Sequence, residues 1–243
     1  MSHQNEPVSI SQVAAVMCNY ARPKSARLAV KRLRDLGLTE IIVWNNGVKP
    51  IPKATKNINN AKNIGTIGRY YAAFHTSRPY LLIVDDDVLL TKKGLEALLK
   101  YAPRYPAVVQ AGLIYESPFK KKYKRLKFLS DKVKKVTKVD VLIANRGLML
   151  KNDLCRSIVN HWVWGCLKAV RKGFIITDIP VSCAIHDLTG KHPVVVPVSG
   201  MGYKILPDEA PESALRNQKN YYQEKTKVLQ WLVNKGWKLL GDG

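Results

Sequence analysis

The sequence predicts an α/β fold in which helices flank a mainly parallel sheet. Short apolar runs recur at 13–18, 41–44 and 81–84, segments of helical period lie between them, and glycine or asparagine closes several of these pieces. Strands that are covered on both faces read as continuous apolar runs. Strand, helix and strand in succession imply a right-handed parallel crossover.

Val13–Cys18 (VAAVMC) ends in the polar Asn19-Tyr20-Ala21-Arg22-Pro23, a buried strand running into a loop. Ser25 or the Pro23 turn opens a helix in which Ala26, Val30, Leu33 and Leu36 share one face, and Gly37 supplies its left-handed stop. Ile41–Trp44 is the second strand, closed by Asn45-Asn46-Gly47. The stretch 48–63 holds Pro50, Pro52 and several Asn/Lys alternations, so irregular surface structure is expected. A short helix over 65–75 carries Arg69 and Tyr70. Leu81–Val84 is the third strand, and Thr91 caps the helix that follows, with Leu95, Leu98 and Leu99 facing inward.

The second half opens with the apolar run 107–114 and a basic block, 120–138. Residues 139–150 (VDVLIANRGLML) read as a strand broken around Asn145-Arg146-Gly147. Leu154, Ile158, Trp162, Cys166 and Ala169 recur at helical spacing up to Gly173, which predicts one core-facing helix. Asp178 with Pro180 two residues later opens another helix, and Asp178 itself suits its N-cap. Val194–Val196 is a strand, and 213–240 a terminal helix with breaks. The division expected is a tail over 1–12, one domain over 13–205 with halves 13–90 and 107–205, and a helical segment of the same domain over 206–243.

Composition narrows the function. In 243 residues, 46% are hydrophobic and 24% charged, which suits one globular core and excludes disorder as a global reading. The 40 Lys+Arg against 18 Asp+Glu leave a net charge of +22, which favours anionic partners. Cys18, Cys155, Cys166 and Cys183 form no C-x-x-C pair and are expected as reduced, mostly buried thiols. The opening residues show no leader pattern, and no apolar run reaches the length of a membrane span; a soluble, cytoplasmic protein is expected.

Asp85-Asp86-Asp87 is the most informative triplet. Carboxylates that meet at the end of a buried strand repel unless a cation or a proton intervenes. On an extended segment Asp85 and Asp87 share a face, at the carboxyl edge where open α/β sheets bind ligands. A few hard oxygen ligands suit Mg²⁺ or Mn²⁺ bridging a diphosphate.

Several pieces occur together in order: the first strand with Arg22 in its loop, IIVWNNG at 41–47, Gly68-Arg69-Tyr70, LLIVDDDVLL at 81–90, VLIANRGLML at 141–150 and DIPVSCAIHDLTGKHP at 178–193. On these the chain resembles nucleotide-sugar glycosyltransferases of the GT-A fold, most of all the exostosin glycosyltransferase family, and more loosely the family 2 transferases. The resemblance covers the chain from Val13 to about Pro197. It implies a GT-A-like, Rossmann-like domain that uses Mn²⁺ or Mg²⁺ to move a sugar from a nucleoside diphosphate donor, UDP above all, to a glycan or glycolipid hydroxyl.

By position, the resemblance implies that Asn19 and Arg22 lie by the nucleotide, Asn45 or Asn46 near the base or ribose, and Arg69 by the base or the phosphates. Asp85 meets the ribose or donor sugar, Asp86 lies beside the nucleotide-sugar in a more passive place, and Asp87, with Asp85, holds the metal. A late histidine, His186, is a further candidate for the metal shell. Asp178 matches the catalytic acid of the family's E-D-I motif; here Thr177-Asp178-Ile179 lacks the preceding glutamate. Asp178 then takes the acceptor proton in an inverting reaction, or orients donor and acceptor in a retaining one.

Two rival classes are weighed. A sugar nucleotidyltransferase announces itself with a glycine-rich loop after the first strand, whereas this loop is CNYARPKS. A nucleic-acid-binding protein suits the charge, but no zinc-finger, RRM or basic-zipper pattern accompanies it. The block 120–138 holds ten Lys/Arg against the single Asp131, interleaved with Tyr123, Leu126, Phe128, Leu129, Val133 and Val136. Two readings stand for it: peripheral docking on an anionic membrane, or a solvated insertion.

Overall fold

A computed structural model describes residues 6–115 and 125–242. The first half runs β1 (Val13–Asn19), α1 (Pro23–Asp35), β2 (Glu40–Asn46), β3 (Lys56–Asn60), α2 (Gly68–Tyr71), β4 (Tyr80–Ile83), β5 (Val88–Leu90) and α3 (Lys92–Tyr101). The second half runs β6 (Ala107–Val109), β7 (Ala111–Tyr115), β8 (Arg125–Ser130), β9 (Thr137–Lys138), β10 (Val141–Leu142), β11 (Leu148–Lys151), α4 (Asn152–Val159), α5 (Asp178–Thr189), β12 (Val194–Val195), β13 (Tyr203–Ile205) and α6 (Tyr221–Asn234).

The central sheet has the order β3-β2-β1-β4-β11-β6-β12-β9. Its first four strands are parallel, β11 is antiparallel to both β4 and β6, β12 is parallel to β6, and β9 is antiparallel to β12. The mainly parallel α/β architecture expected of the sequence is therefore present. Alternation along β1 divides the core: Val13, Ala15 and Met17 pack with Ala26, Val30 and Leu33 of α1 and Leu95 and Leu98 of α3. Ala14 and Val16 face the other way, toward a cluster built from α2, α4, α5 and α6. Each strand residue is thus buried on its own face, which is why the strands read as unbroken apolar runs. Among the described residues no helix is long and apolar enough to cross a membrane.

Two expectations are corrected, and two stretches left open by the sequence are resolved in their described parts. The polar stretch 48–63 contains β3, in parallel register with β2; Lys56-Asn-Ile-Asn-Asn60 gives no apolar signal because β3 is an edge strand whose Asn57 and Asn59 bond to Asn45 instead of filling a core. The apolar run 107–114 splits between two sheets, β6 in the central one and β7 in a small sheet ordered β10-β7-β8. The single helix expected over 154–169 is α4 followed by a 3₁₀ stretch, Trp162–Ala169. The break falls where the Ile158 carbonyl accepts the Trp164 indole N–H at 2.7 Å. The basic block, finally, is no free insertion in its described part. Phe128 and Val133 pack on one core cluster together with buried Leu129, and Val136 packs on the other. Those side chains are committed to the protein. Lys120, Lys121, Lys122, Tyr123 and Lys124 lie outside the described residues, and so do the side chains of Arg125 and Leu126.

Gly68 fixes how α2 meets the sheet. Glycine costs about 1 kcal/mol relative to alanine inside a helix, yet a Cβ at this position would run into the indole of Trp44 on β2. Gly68→Ala should therefore destabilise the protein by about 1–3 kcal/mol through overpacking, measured by urea unfolding. The cost should shrink in a Trp44→Leu background; equal costs in the two backgrounds would show that the indole is not the obstacle.

Candidate active site

The acidic triplet leaves the sheet at the carboxyl end of β4. Val84 still donates to the Val16 carbonyl at 3.1 Å, after which Asp85 N–H turns to the Asn145 carbonyl at 3.1 Å. Asp86 and Asp87 then form a turn closed by Val88 N–H on the Asp85 carbonyl at 3.3 Å. The segment is not extended, so the expected sharing of one face by Asp85 and Asp87 is replaced by a different pairing. Asp86 and Asp87 turn together toward Arg22, and Asp85 turns to Arg69.

Arg69, on the one-turn helix α2, is only 2% exposed. Its guanidinium donates to Asp85 Oδ1 through one nitrogen and, through the other, to Thr177 Oγ1 at 3.3 Å and Asp178 Oδ1 at 3.5 Å. Thr177 Oγ1 also lies 3.0 Å from Thr66 Oγ1. A strand-end acid and a helix-start acid, 93 positions apart in the chain by their numbers, are thereby held on one cation. Asp178 is the first residue of α5, not its N-cap; Thr177 holds that position and makes no capping bond. The Asp178 carboxylate is a quarter exposed.

Arg22 ends the loop after β1, with Pro23 starting α1. Its guanidinium meets Asp86 Oδ1 at 3.4 Å, Asp87 Oδ2 at 3.9 Å and, through Nε, Asp208 Oδ1 at 3.0 Å. Arg216 reaches the other oxygen of Asp208 at 2.9 Å. Five aspartates of a strongly basic chain are thus gathered around two arginines at one edge of the sheet.

The electrostatics follow from that excess. Burial, with the charge of Asp85 adding to it, raises Asp86 to about 8 against the opposing pull of Arg22. Burial and Asp85 likewise raise Asp87. Burial raises Asp178 although Arg69 and Lys225 oppose it. Arg69 stays charged: burial works against its proton, but Asp85 and the other acids outweigh it. The carboxylates are hard oxygen donors whose mutual repulsion a divalent cation would relieve, so the residues present fit Mg²⁺ or Mn²⁺. Asp87 is the least satisfied of the triplet, with the Arg22 guanidinium 3.9 Å away. Among the described residues no group of three or more His, Cys, Asp or Glu side chains is placed to hold a metal ion.

Arg22, Arg69, Asp85, Asp86, Asp87 and Asp178 come together as described. Asn19, Asn45 and Asn46 bond away from the aspartates, the first two in one buried network and Asn46 to the chain at Ile64 and Gly65. Asn19 donates to Asn45 Oδ1 at 2.8 Å, and Asn45 donates to Asn57 and Asn59 at 3.0 and 3.1 Å. Asn46 bonds the Gly65 carbonyl and the Ile64 N–H. These amides tie the carboxyl ends of β1, β2 and β3 to one another and to the chain entering α2. His186 is not brought to the aspartates. It lies eight positions beyond Asp178 on α5, about 12 Å along a helix, and stacks on His192 with ring centroids 4.4 Å apart. Sequence reasoning missed Asp208, Glu209 and Thr177. The first two stand in a polar loop, ILPDEAPES, and meet their partners across more than 180 positions, so no local pattern marks them.

No family model matches the chain, and no curated protein matches it either.

The titration of Asp86 has a consequence for stability. Its folded value of about 8 lies above the ordinary 3.8, so between these values the folded chain keeps a proton that the unfolded chain releases. Stability from this group therefore falls as pH rises from about 4 to about 8. Asp86→Asn removes that fall, and the Tm difference between variant and wild type should widen in the variant's favour across this range, by about 2–4 °C for each kcal/mol relieved. His192, lowered to about 4 by burial and by His186, acts in the opposite sense but is common to both proteins. A Tm difference independent of pH would show that Asp86 carries no raised pKa.

Proposed function

We propose that the chain is a metal-dependent glycosyltransferase of the GT-A type, moving a sugar from a nucleoside diphosphate, UDP above all, to a hydroxyl of a glycan or glycolipid. The observation that carries this reading is the single buried guanidinium, Arg69, shared between the strand-end Asp85 and the helix-start Asp178. It puts a cation and two partly exposed carboxylates at the edge where α/β sheets take ligands. The surplus of acid beside it suits a cation bound with a diphosphate. The ordered sequence pieces of the glycosyltransferase resemblance supply the rest of the support.

In this reading Asp87 and Asp85 would hold Mn²⁺ or Mg²⁺, and the metal would offset the charge of the diphosphate. Arg69 and Arg22 supply fixed positive charge at the same edge. As the bond from the anomeric carbon to the diphosphate breaks, negative charge grows on the departing phosphate, and preorganised cations stabilise it more in the transition state than before. The acceptor oxygen forms the new bond to that carbon and gives up its proton, to Asp178 in an inverting reaction or to the departing phosphate in a retaining one. Asp178 faces this step as a carboxylate kept from full solvation, and its free lone pairs accept the hydrogen bond of the acceptor hydroxyl. Arg69 fixes its orientation, so donor side and acceptor side are positioned by one side chain.

Two substitutions separate these roles. Asp87→Asn should bind UDP equally with and without Mn²⁺ in calorimetry, while circular dichroism shows an intact fold; Mn²⁺-dependent binding as in wild type would remove Asp87 from the metal. Asp178→Asn should keep donor binding and lose transfer by about 10²–10⁴-fold, the range for a positioned acid or base. Normal transfer by this variant would leave Asp178 a structural partner of Arg69 alone.

A further inference from the structure

The segment that follows β13 is attached to the site through two adjacent carboxylates. β13 pairs antiparallel with β5, directly after the triplet, and Leu206 N–H donates to the Asp87 carbonyl at 2.8 Å. The chain then crosses to the start of α1. Asp208 takes the Nε bond of Arg22 at 3.0 Å. Glu209 accepts from the N–H groups of Lys24 and Ser25 at 3.2 and 2.9 Å and from Ser25 Oγ at 3.0 Å. Adjacent carboxylates therefore occupy a guanidinium and the first amides of a 13-residue helix, the two kinds of group that bind phosphate in proteins.

Arg22 and Arg216 outweigh burial and hold Asp208 below the ordinary carboxylate range, while its charge helps to raise Asp87. Asp208 shares Arg22 with Asp86 and Asp87 and adds its charge to a corner already crowded with acid. A diphosphate arriving with a divalent cation brings the same two anionic groups and, in addition, neutralises the triplet.

We propose that Asp208 and Glu209 form an internal anion, a strap that occupies the phosphate-binding positions of the ligand-free site and is displaced when the donor's diphosphate binds. The proposal rests on the nucleoside-diphosphate reading given above. It makes the segment 206–217 an autoinhibitory contact, released by the substrate and re-formed after the product leaves. Release frees Arg22 for the phosphates and frees Arg216, now bonded to Asp208 at 2.9 Å.

The test uses inorganic pyrophosphate, alone and then UDP with Mn²⁺, on the full chain. In the wild type, pyrophosphate should raise amide hydrogen exchange over 206–217. In Asp208→Asn/Glu209→Gln, pyrophosphate should bind more tightly by the reciprocal of the open fraction, about tenfold for a strap closed nine-tenths of the time. Equal affinities, absence of pyrophosphate binding in both proteins, or binding that leaves exchange over 206–217 unchanged or lowered would overturn the strap. The wild-type exchange measurement stands even if the double variant folds poorly. Failure of the donor reading looks different: pyrophosphate then opens the strap while UDP with Mn²⁺ does nothing. UDP with Mn²⁺ binding over an unmoved strap would uphold the donor reading and remove the strap.

Discussion

Arg69 is a fully charged group inside the protein, and the geometry of the site depends on how that charge is met. Removing a guanidinium from water carries a penalty of several kcal/mol unless acids and hydrogen-bond acceptors replace the solvent. Here Asp85, Thr177 and Asp178 replace it. Because the buried cation is bonded to both carboxylates, β4, α2 and α5 converge on one point. Gly68 lets α2 approach Trp44 closely enough to bring Arg69 there, and the asparagine network holds the neighbouring strand ends level.

Around this ion cluster the chain inverts its own charge balance. Lys and Arg outnumber Asp and Glu by more than two to one over the whole sequence, yet five aspartates meet two central arginines at the sheet edge. An arrangement that raises Asp86, Asp87 and Asp178 together is held against electrostatic preference. Such strain is characteristic of sites tuned for a ligand, although structural ion networks also produce it. In the proposed function, the positive balance of the chain would draw an anionic donor, and the cluster of aspartates would take the cation that comes with it.

The parts of this structure that repeat locally were legible in the sequence. Continuous apolar runs gave β1, β2 and β4, helical spacing with Gly37 gave α1, and Thr91 caps α3 with its hydroxyl on Gly94 N–H at 3.0 Å. Asp85–Asp87, Arg22, Arg69 and Asp178 were all marked as site residues, from the acid triplet or from the resemblance. What was not legible depends on distant partners. β3 is polar because its neighbours are asparagines, α4 stops where an indole caps its carbonyl, and Asp208 and Glu209 act on residues of the first loop from near the other end of the chain. The assignment of Asp85 and Asp87 to one face failed because it assumed extended backbone where the chain turns.

The proposed function requires that the acid surplus beside Arg69 receive a divalent cation together with a nucleoside diphosphate. The most direct measurement is the melting temperature of the wild-type chain at pH 8 with Mn²⁺ alone, UDP alone and both. Ligands that bind only the folded state raise its stability by mass action. Coupled binding through the aspartates requires Mn²⁺ and UDP together to raise Tm by more than the sum of their separate effects. A strictly additive response, or no response to any combination, would contradict the account.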